Sequence, residues 1–152
     1  MAEYINNEVQ TIALNGAAVL YDSIPCKRGY VIHDNGSGIV TLRGIVNNPC
    51  AGFARYTVTA NGNIAIPTGG AVTPIAIALT VQGEPRLTSR AIITPAAVEE
   101  YWNVTSTAII DVPTGCCFTV SVRYVPGTDD PTVTPTPIIE MQNLNVTVER
   151  KA

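Results

Sequence analysis

Apolar and polar residues alternate along most of this chain, and two segments do so almost without interruption. In Cys116–Val125, Cys116, Phe118, Val120, Val122 and Tyr124 fall on one side, and Cys117, Thr119, Ser121 and Arg123 on the other. In Leu144–Arg150, Leu144, Val146 and Val148 oppose Asn145, Thr147 and Glu149. A period of two sends successive side chains to opposite faces of a sheet, so each segment predicts a strand with one buried and one wet face. Phe53–Ala60 alternates in the same way, setting Ala54, Tyr56 and Val58 against Phe53, Arg55, Thr57 and Thr59. Ile75–Gln82 sets Ile75, Ile77, Leu79 and Val81 against the small residues Ala76, Ala78 and Thr80.

The punctuation between these segments fits strands and turns. A strand over Glu8–Tyr21 is broken near Asn15-Gly16, and Ser23-Ile24-Pro25 turns the chain because proline donates no ladder hydrogen bond. Asn35-Gly36 predicts a turn ahead of a strand over Gly38–Gly44, and Asn47-Asn48-Pro49 ends that strand. Asn61-Gly62 reads as a hairpin tip, and Pro67-Thr68-Gly69-Gly70 as a loop. Gly83-Glu84-Pro85 leads into Leu87–Thr94, and Pro95–Tyr101 predicts one helical turn with proline at its first position. Trp102–Val112 is a further strand ended by Pro113-Thr114-Gly115, and a proline-rich loop runs from Pro126 to Pro137. About eight strands with frequent turns predict an all-β fold, an antiparallel β-sandwich of the jelly-roll kind. Residues 1–7 read as a polar N-terminal arm, and residues 8–152 as the jelly-roll domain.

Composition sharpens this picture. A chain of 152 residues is one domain and can bury a core without a metal or disulfide staple. Charged residues make up 14%, well below the usual share of roughly a quarter, while hydrophobic residues reach 46%. That balance excludes disorder and points to surface hidden in an oligomer. The net charge of −3 and the lack of basic clusters argue against nucleic acid as a partner. Lys27-Arg28 is an isolated basic pair and reads as a solvated turn. No apolar run approaches a membrane span, and Met1–Asn7 has no signal-peptide character, so the expectation is synthesis in the cytoplasm.

Candidate chemistry is sparse. Cys26, Cys50, Cys116 and Cys117 lack a metal-ligand spacing, and only one histidine, His33, is present. Cys116 falls with the apolar set as a small hydrophobe. A Cys26–Cys50 bridge stays open, with reduced thiols the expectation for a cytoplasmic chain. His33-Asp34 beside Ser37, and His33 with Cys26, offer the residue types of nucleophilic catalysis, but neighbours on a turn seldom converge as nucleophile, base and orienter. Glu99, Glu100 and Asp111 read as solvated acids rather than a glycosidase pair, and Asp129-Asp130 carries no calcium-loop pattern. Asn103-Val-Thr and Asn145-Val-Thr match the glycosylation sequon inside predicted strands. The expectation is no enzyme, no cofactor and no metal. Tyr101 and Trp102 are the candidate contacts for a glycan or a partner, because aromatics bury large area at low entropic cost.

Three segments resemble tumour necrosis factor-like or complement globular-head-like jelly rolls. They are Gly52–Val58 as an aromatic-rich strand, Ile75–Glu84 as the following strand and turn, and Ile138–Arg150 as the closing strand. Gly36–Gly44 and Val112–Cys117 are similar to stretches of the short jelly-roll proteins of bacteriophages and Gram-positive surface layers. The resemblance implies a homotrimer, with Tyr56, Ala76 and Ala78 as the candidate oligomer interface near the axis. It implies a structural virion protein, a trimeric capsid decoration or head-fibre component that docks on other virion structural proteins, with the arm Met1–Asn7 as a contact. The alternative is a glycan- or receptor-binding module on a phage or bacterial surface, whose loops recognise host surface glycans. The implied location is the virion, or alternatively a bacterial cell or spore surface.

Overall fold

The computed structural model describes residues 1–26, 29–45, 50 and 52–151. The expected turn at Lys27-Arg28 and the break at Asn47-Asn48-Pro49 lie outside the described residues. Within them the chain forms β1 (Ala2–Asn6), β2 (Gln10–Ala13), β3 (Tyr21–Ile24), β4 (Val31–His33), β5 (Val40–Arg43) and β6 (Phe53–Ala65). It continues as β7 (Ile75–Val81), β8 (Glu84–Pro85), β9 (Ala91–Ile93), β10 (Trp102–Pro113), β11 (Cys117–Pro126) and β12 (Ile138–Arg150), with one 3-10 turn at Leu87–Ser89.

Two antiparallel sheets result. The first has the order β10-β6-β12-β1-β3, with β2 also paired to β12; the second has the order β4-β5-β11-β7-β8, with β9 also paired to β7. Neighbours in the sheets are mostly distant in sequence, as a jelly roll requires. The alternation seen in the sequence becomes the core. Tyr56, Val58, Ile64 and Ile110 face inward from the first sheet, and Leu42, Ile77, Leu79, Val122 and Tyr124 face them from the second. Each such large apolar side chain, fully buried, contributes about 1.5–3 kcal/mol relative to exposure.

One stretch stitches the sheets together. Gln10–Ala13 pairs with β12, and Asn15 then takes a left-handed conformation (φ 63°), which asparagine tolerates. The chain crosses to the second sheet, where Asn15 N donates to Tyr124 O and Ala18 N to Val122 O. The expected break near Asn15-Gly16 is therefore the point where the chain changes sheets.

Four expectations are corrected. Residues 1–7 are no arm: β1 lies between β12 and β3, with Ala2 and Tyr4 buried. The stretch looks polar because Glu3 and Asn7 are conspicuous, yet Ala2, Tyr4 and Asn6 share its inner face. Asn61-Gly62 is no hairpin tip; β6 runs unbroken through it, flanked on both sides by β10 and β12. Two-sided ladder pairing outweighs the local turn tendency there, and Gly62 has no positive φ. Pro95–Tyr101 forms a bend at Ala96-Ala97 and a turn at Val98-Glu99 rather than a helical turn, with Glu99 in the left-handed region (φ 59°). Cys116 is exposed, because β11 starts one residue later and the preceding turn carries Cys116 outside the sandwich. That turn is pinned by Gly44, whose N donates to Cys116 O; a Cβ on Gly44 would lie 2.1 Å from Pro113 O.

Candidate functional site

The residue types of a catalytic centre are present, and the fold puts each to another use. His33, at the end of β4, has its side chain almost fully buried. Its Nδ1 lies 2.6 Å from Asp22 Oδ1, not near Asp34, and its Nε2 lies 2.8 Å from the Ser37 carbonyl oxygen, not the hydroxyl. With both ring nitrogens occupied, the ring offers no free base to a nucleophile. Cys26 packs partly buried against the core.

Glu99 and Glu100 precede β10 and Asp111 lies near its far end, so roughly 30–35 Å of strand separates them. Glu99 accepts from Thr68 N and Oγ1, and Asp111 makes a bidentate pair with Arg55 at 2.8 and 2.9 Å. That guanidinium holds the Asp111 carboxyl below its usual range. Asp129 pairs with Arg90, and Asp130 accepts from Thr132 N and Oγ1. Among the described residues no group of three or more histidine, cysteine or acidic side chains is placed to hold a metal ion.

Tyr101 and Trp102 separate in role. Tyr101 is half-buried and donates to Glu140 Oε2 at 2.8 Å; burial first, then Glu140, pushes its phenol up to about 12. Trp102 is 49% exposed, and its indole N–H donates to Glu100 Oε1 at 2.7 Å, which fixes the ring at the mouth of the sandwich. At the same end, an uncharged groove of about 410 Å³ runs between Pro67–Ala71 and Thr136–Ile138.

Tyr56, Ala76 and Ala78 are all fully buried within a single chain. Tyr56 fills the core and donates to the Arg43 and Tyr30 carbonyls. Ala76 and Ala78 face away from the core, in a small cluster with Val125. At 0% exposure they present no surface to a neighbour.

The surfaces that remain open were not singled out by the sequence. On the outer face of the first sheet, β10, β6 and β12 align three uncharged rows: Asn103–Asn63–Gln142, Thr105–Asn61–Asn145 and Thr107–Thr59–Thr147. Asn103 Nδ2 donates to the side-chain oxygens of Asn61 and Asn63, and Thr107 Oγ1 to Thr59 Oγ1. Two groups of exposed apolar side chains lie along the lateral edges. Val19, Tyr21, Ile24, Ile32 and Ile39 flank β3 and β4, while Leu87, Ile92 and Ile109 flank β10 and β9. The alternation signal that finds inward residues also finds outward ones; what it lacked was which strands lie at an edge.

No protein-family model matches the chain, and no curated protein matches it. Solved structures do. The Eiger TNF of S. frugiperda aligns with 99% of this chain and 91% of its own, at 12% identity and a TM-score of 0.63. The globular domain of the zebrafish complement 1qA protein aligns with 95% of this chain and 92% of its own, at 11% identity and a TM-score of 0.54. These likenesses show the fold: a jelly roll of the tumour necrosis factor and complement-head type, as its sequence resemblance implied. Among the described residues no helix is long and apolar enough to cross a membrane.

Proposed function

We propose that the protein is a non-catalytic structural module that closes into a homotrimer and serves as a capsid decoration or head-fibre component of a virion. The observation that carries the assembly is the pair of exposed apolar flanks on opposite edges of the sandwich. A cyclic ring joins two different surfaces of the same chain, so each copy must carry both halves of the contact. The β3–β4 flank of one copy then packs on the β10 flank of the next, with the uncharged Asn and Thr rows beside it turned toward the axis. Such rows lower the desolvation cost relative to charges and still offer hydrogen bonds across the contact. The low overall charge supports the same reading, and the threefold number and the virion location come from the resemblance of the sequence to phage jelly rolls.

The test places one charge on each flank. Ile32→Lys and Ile109→Lys are each expected to give folded monomers by light scattering and circular dichroism. Mixing the two variants restores at most one of the contacts per pair, so no closed ring forms. A twofold dimer in the wild type, or wild-type mass in both variants, contradicts the ring. Detection of the chain in purified virions by mass spectrometry tests the location.

Trp102 supports a second reading. An exposed indole whose orientation is fixed by Glu100 is a ready stacking surface for a sugar ring, beside an uncharged groove. Loss of binding on a glycan array for Trp102→Ala, with mass unchanged, is the expected outcome for a glycan-binding tip. No binding by the wild type to any glycan removes it.

A further inference from the structure

His33 stands where the free edges of the two sheets meet. Its β4 is the edge of the second sheet, and Asp22, its partner, lies on β3, the edge of the first. The contact is continued by Gly36 N donating to Leu20 O and Asp22 N donating to Asn35 Oδ1. Apart from the stretch around Asn15, this flank is where the sandwich is tied shut on its β3–β4 side.

The two bonds of the ring fix its chemistry. A carboxylate and a backbone carbonyl are both acceptors, so Nδ1 and Nε2 must each donate, and a neutral imidazole has only one N–H. The 2.6 Å separation from Asp22 lies at the short end for an N–H···O contact, in the direction that charge assistance shortens it. We propose that His33 is a proton-operated latch: as imidazolium it clasps β3 through Asp22 and the 34–37 turn through Ser37, and loss of its second proton releases one of the two.

The surroundings are consistent with this device. Asp22 is part-exposed and lines a shallow groove of about 280 Å³ with Glu8 and Tyr21, which gives water a path to the pair. Tyr4 of β1 packs against the ring at 4.6 Å between centroids, with the two planes tilted by 50°. Burial first, then Asp22, pushes the Tyr4 phenol up to about 12, so Tyr4 stays neutral while the ring titrates. Among the described residues, the other titratable groups of this flank are Glu8 and Tyr21 in the groove, Asp34 in the adjoining turn and Cys26, which acts on Tyr4. The sign is fixed by the geometry: two acceptors face the ring, so the protonated ring favours the clasped flank and loss of a proton weakens it.

Because His33 is the only histidine, its ring can be observed without assignment ambiguity. Long-range nitrogen–proton NMR of the wild-type protein at pH 7 is expected to show both ring nitrogens protonated. A neutral tautomer at that pH overturns the latch and needs no variant. Amide exchange, corrected for intrinsic rates, is expected to accelerate about tenfold in residues 20–24 and 31–37 between pH 6.5 and pH 9, with β6 and β12 unchanged. His33→Gln should abolish that difference. Equal acceleration in wild type and His33→Gln overturns the proposal. Asp22→Asn, which keeps an acceptor but no charge, provides a second variant if His33→Gln does not fold, and it should lessen the difference.

Discussion

The two outer faces of the sandwich are built from the same alternation and end in opposite states. On the second sheet, Ala76, Ala78 and Val125 are fully or almost fully buried, and the Thr80 and Ser121 hydroxyls bond to each other out of solvent. Arg123 of β11 stands opposite Ala78 on this face, and Arg90 donates to Pro126 O and Asp129 Oδ1. On the first sheet, the Asn and Thr rows of β10, β6 and β12 remain open, bordered by the pairs Arg55–Asp111 and Glu149–Lys151 and by Glu3 of β1 beside Thr147. The difference teaches that small residues on a strand mark a face the folded chain buries. Medium-sized uncharged polar residues mark the face that stays open.

Breaking the buried face should have the largest effect. Ala78→Lys buries a second cation directly opposite Arg123 of β11 and is expected to cost about 3–5 kcal/mol, a fall in melting temperature on the order of 10 °C. Thr107→Glu, its counterpart on the open face, should leave a chain that is folded by circular dichroism and NMR but fails to assemble. Equal destabilisation by the two would erase the distinction between the faces.

The hydroxyl pair sharpens the comparison. Thr80→Val alone strands the Ser121 hydroxyl and is expected to cost about 1–3 kcal/mol in denaturant unfolding. Adding Ser121→Ala should cost less than the sum of the single changes, because no buried group is then left unmatched. Additive values would show that the pair is not sequestered as the structure has it.

The core phenols give a smaller, pH-dependent effect. Burial pushes Tyr124 up to about 12, and Tyr4 and Tyr101 stand at about the same value. An unfolded phenol ionises near about 10. The folded state therefore resists ionisation, its contribution is intact below about pH 10, and stability falls as pH rises from there toward 12. Spectroscopic titration should show these tyrosines ionising late, together with unfolding. Ionisation of all six near pH 10 in a folded chain contradicts their burial.

Smallest of all should be the rim. Arg55→Gln removes the group that holds Asp111 below its usual range, so any contribution is present at neutral pH and lost on acidification through the carboxylate range. The pair is exposed, and the melting temperature should barely move.

How far the sequence carried this account follows from what periodicity encodes. Val120, Val122 and Tyr124 announced an inward face and occupy it, since alternation reports only the two sides of one strand. It does not report which strands are neighbours. Asn61-Gly62 therefore looked like a tip, although β10 and β12 hold it straight, and Met1–Asn7 looked like an arm, although β12 and β3 enclose it. Ala76 and Ala78 looked like an interface because nothing local to β7 shows that the folded chain buries them in a cluster with Val125. His33 was noticed for its neighbours Asp34 and Ser37, while its partner Asp22 arrives from another sheet. Each miss is a contact made by residues distant in the chain.

The most direct test of the central claim is the native mass of the wild-type protein by light scattering across a dilution series. A constant mass three times that of the chain is the predicted result. A stable monomer at every concentration would contradict the account, because both apolar flanks and the open Asn and Thr face would then stand unpartnered.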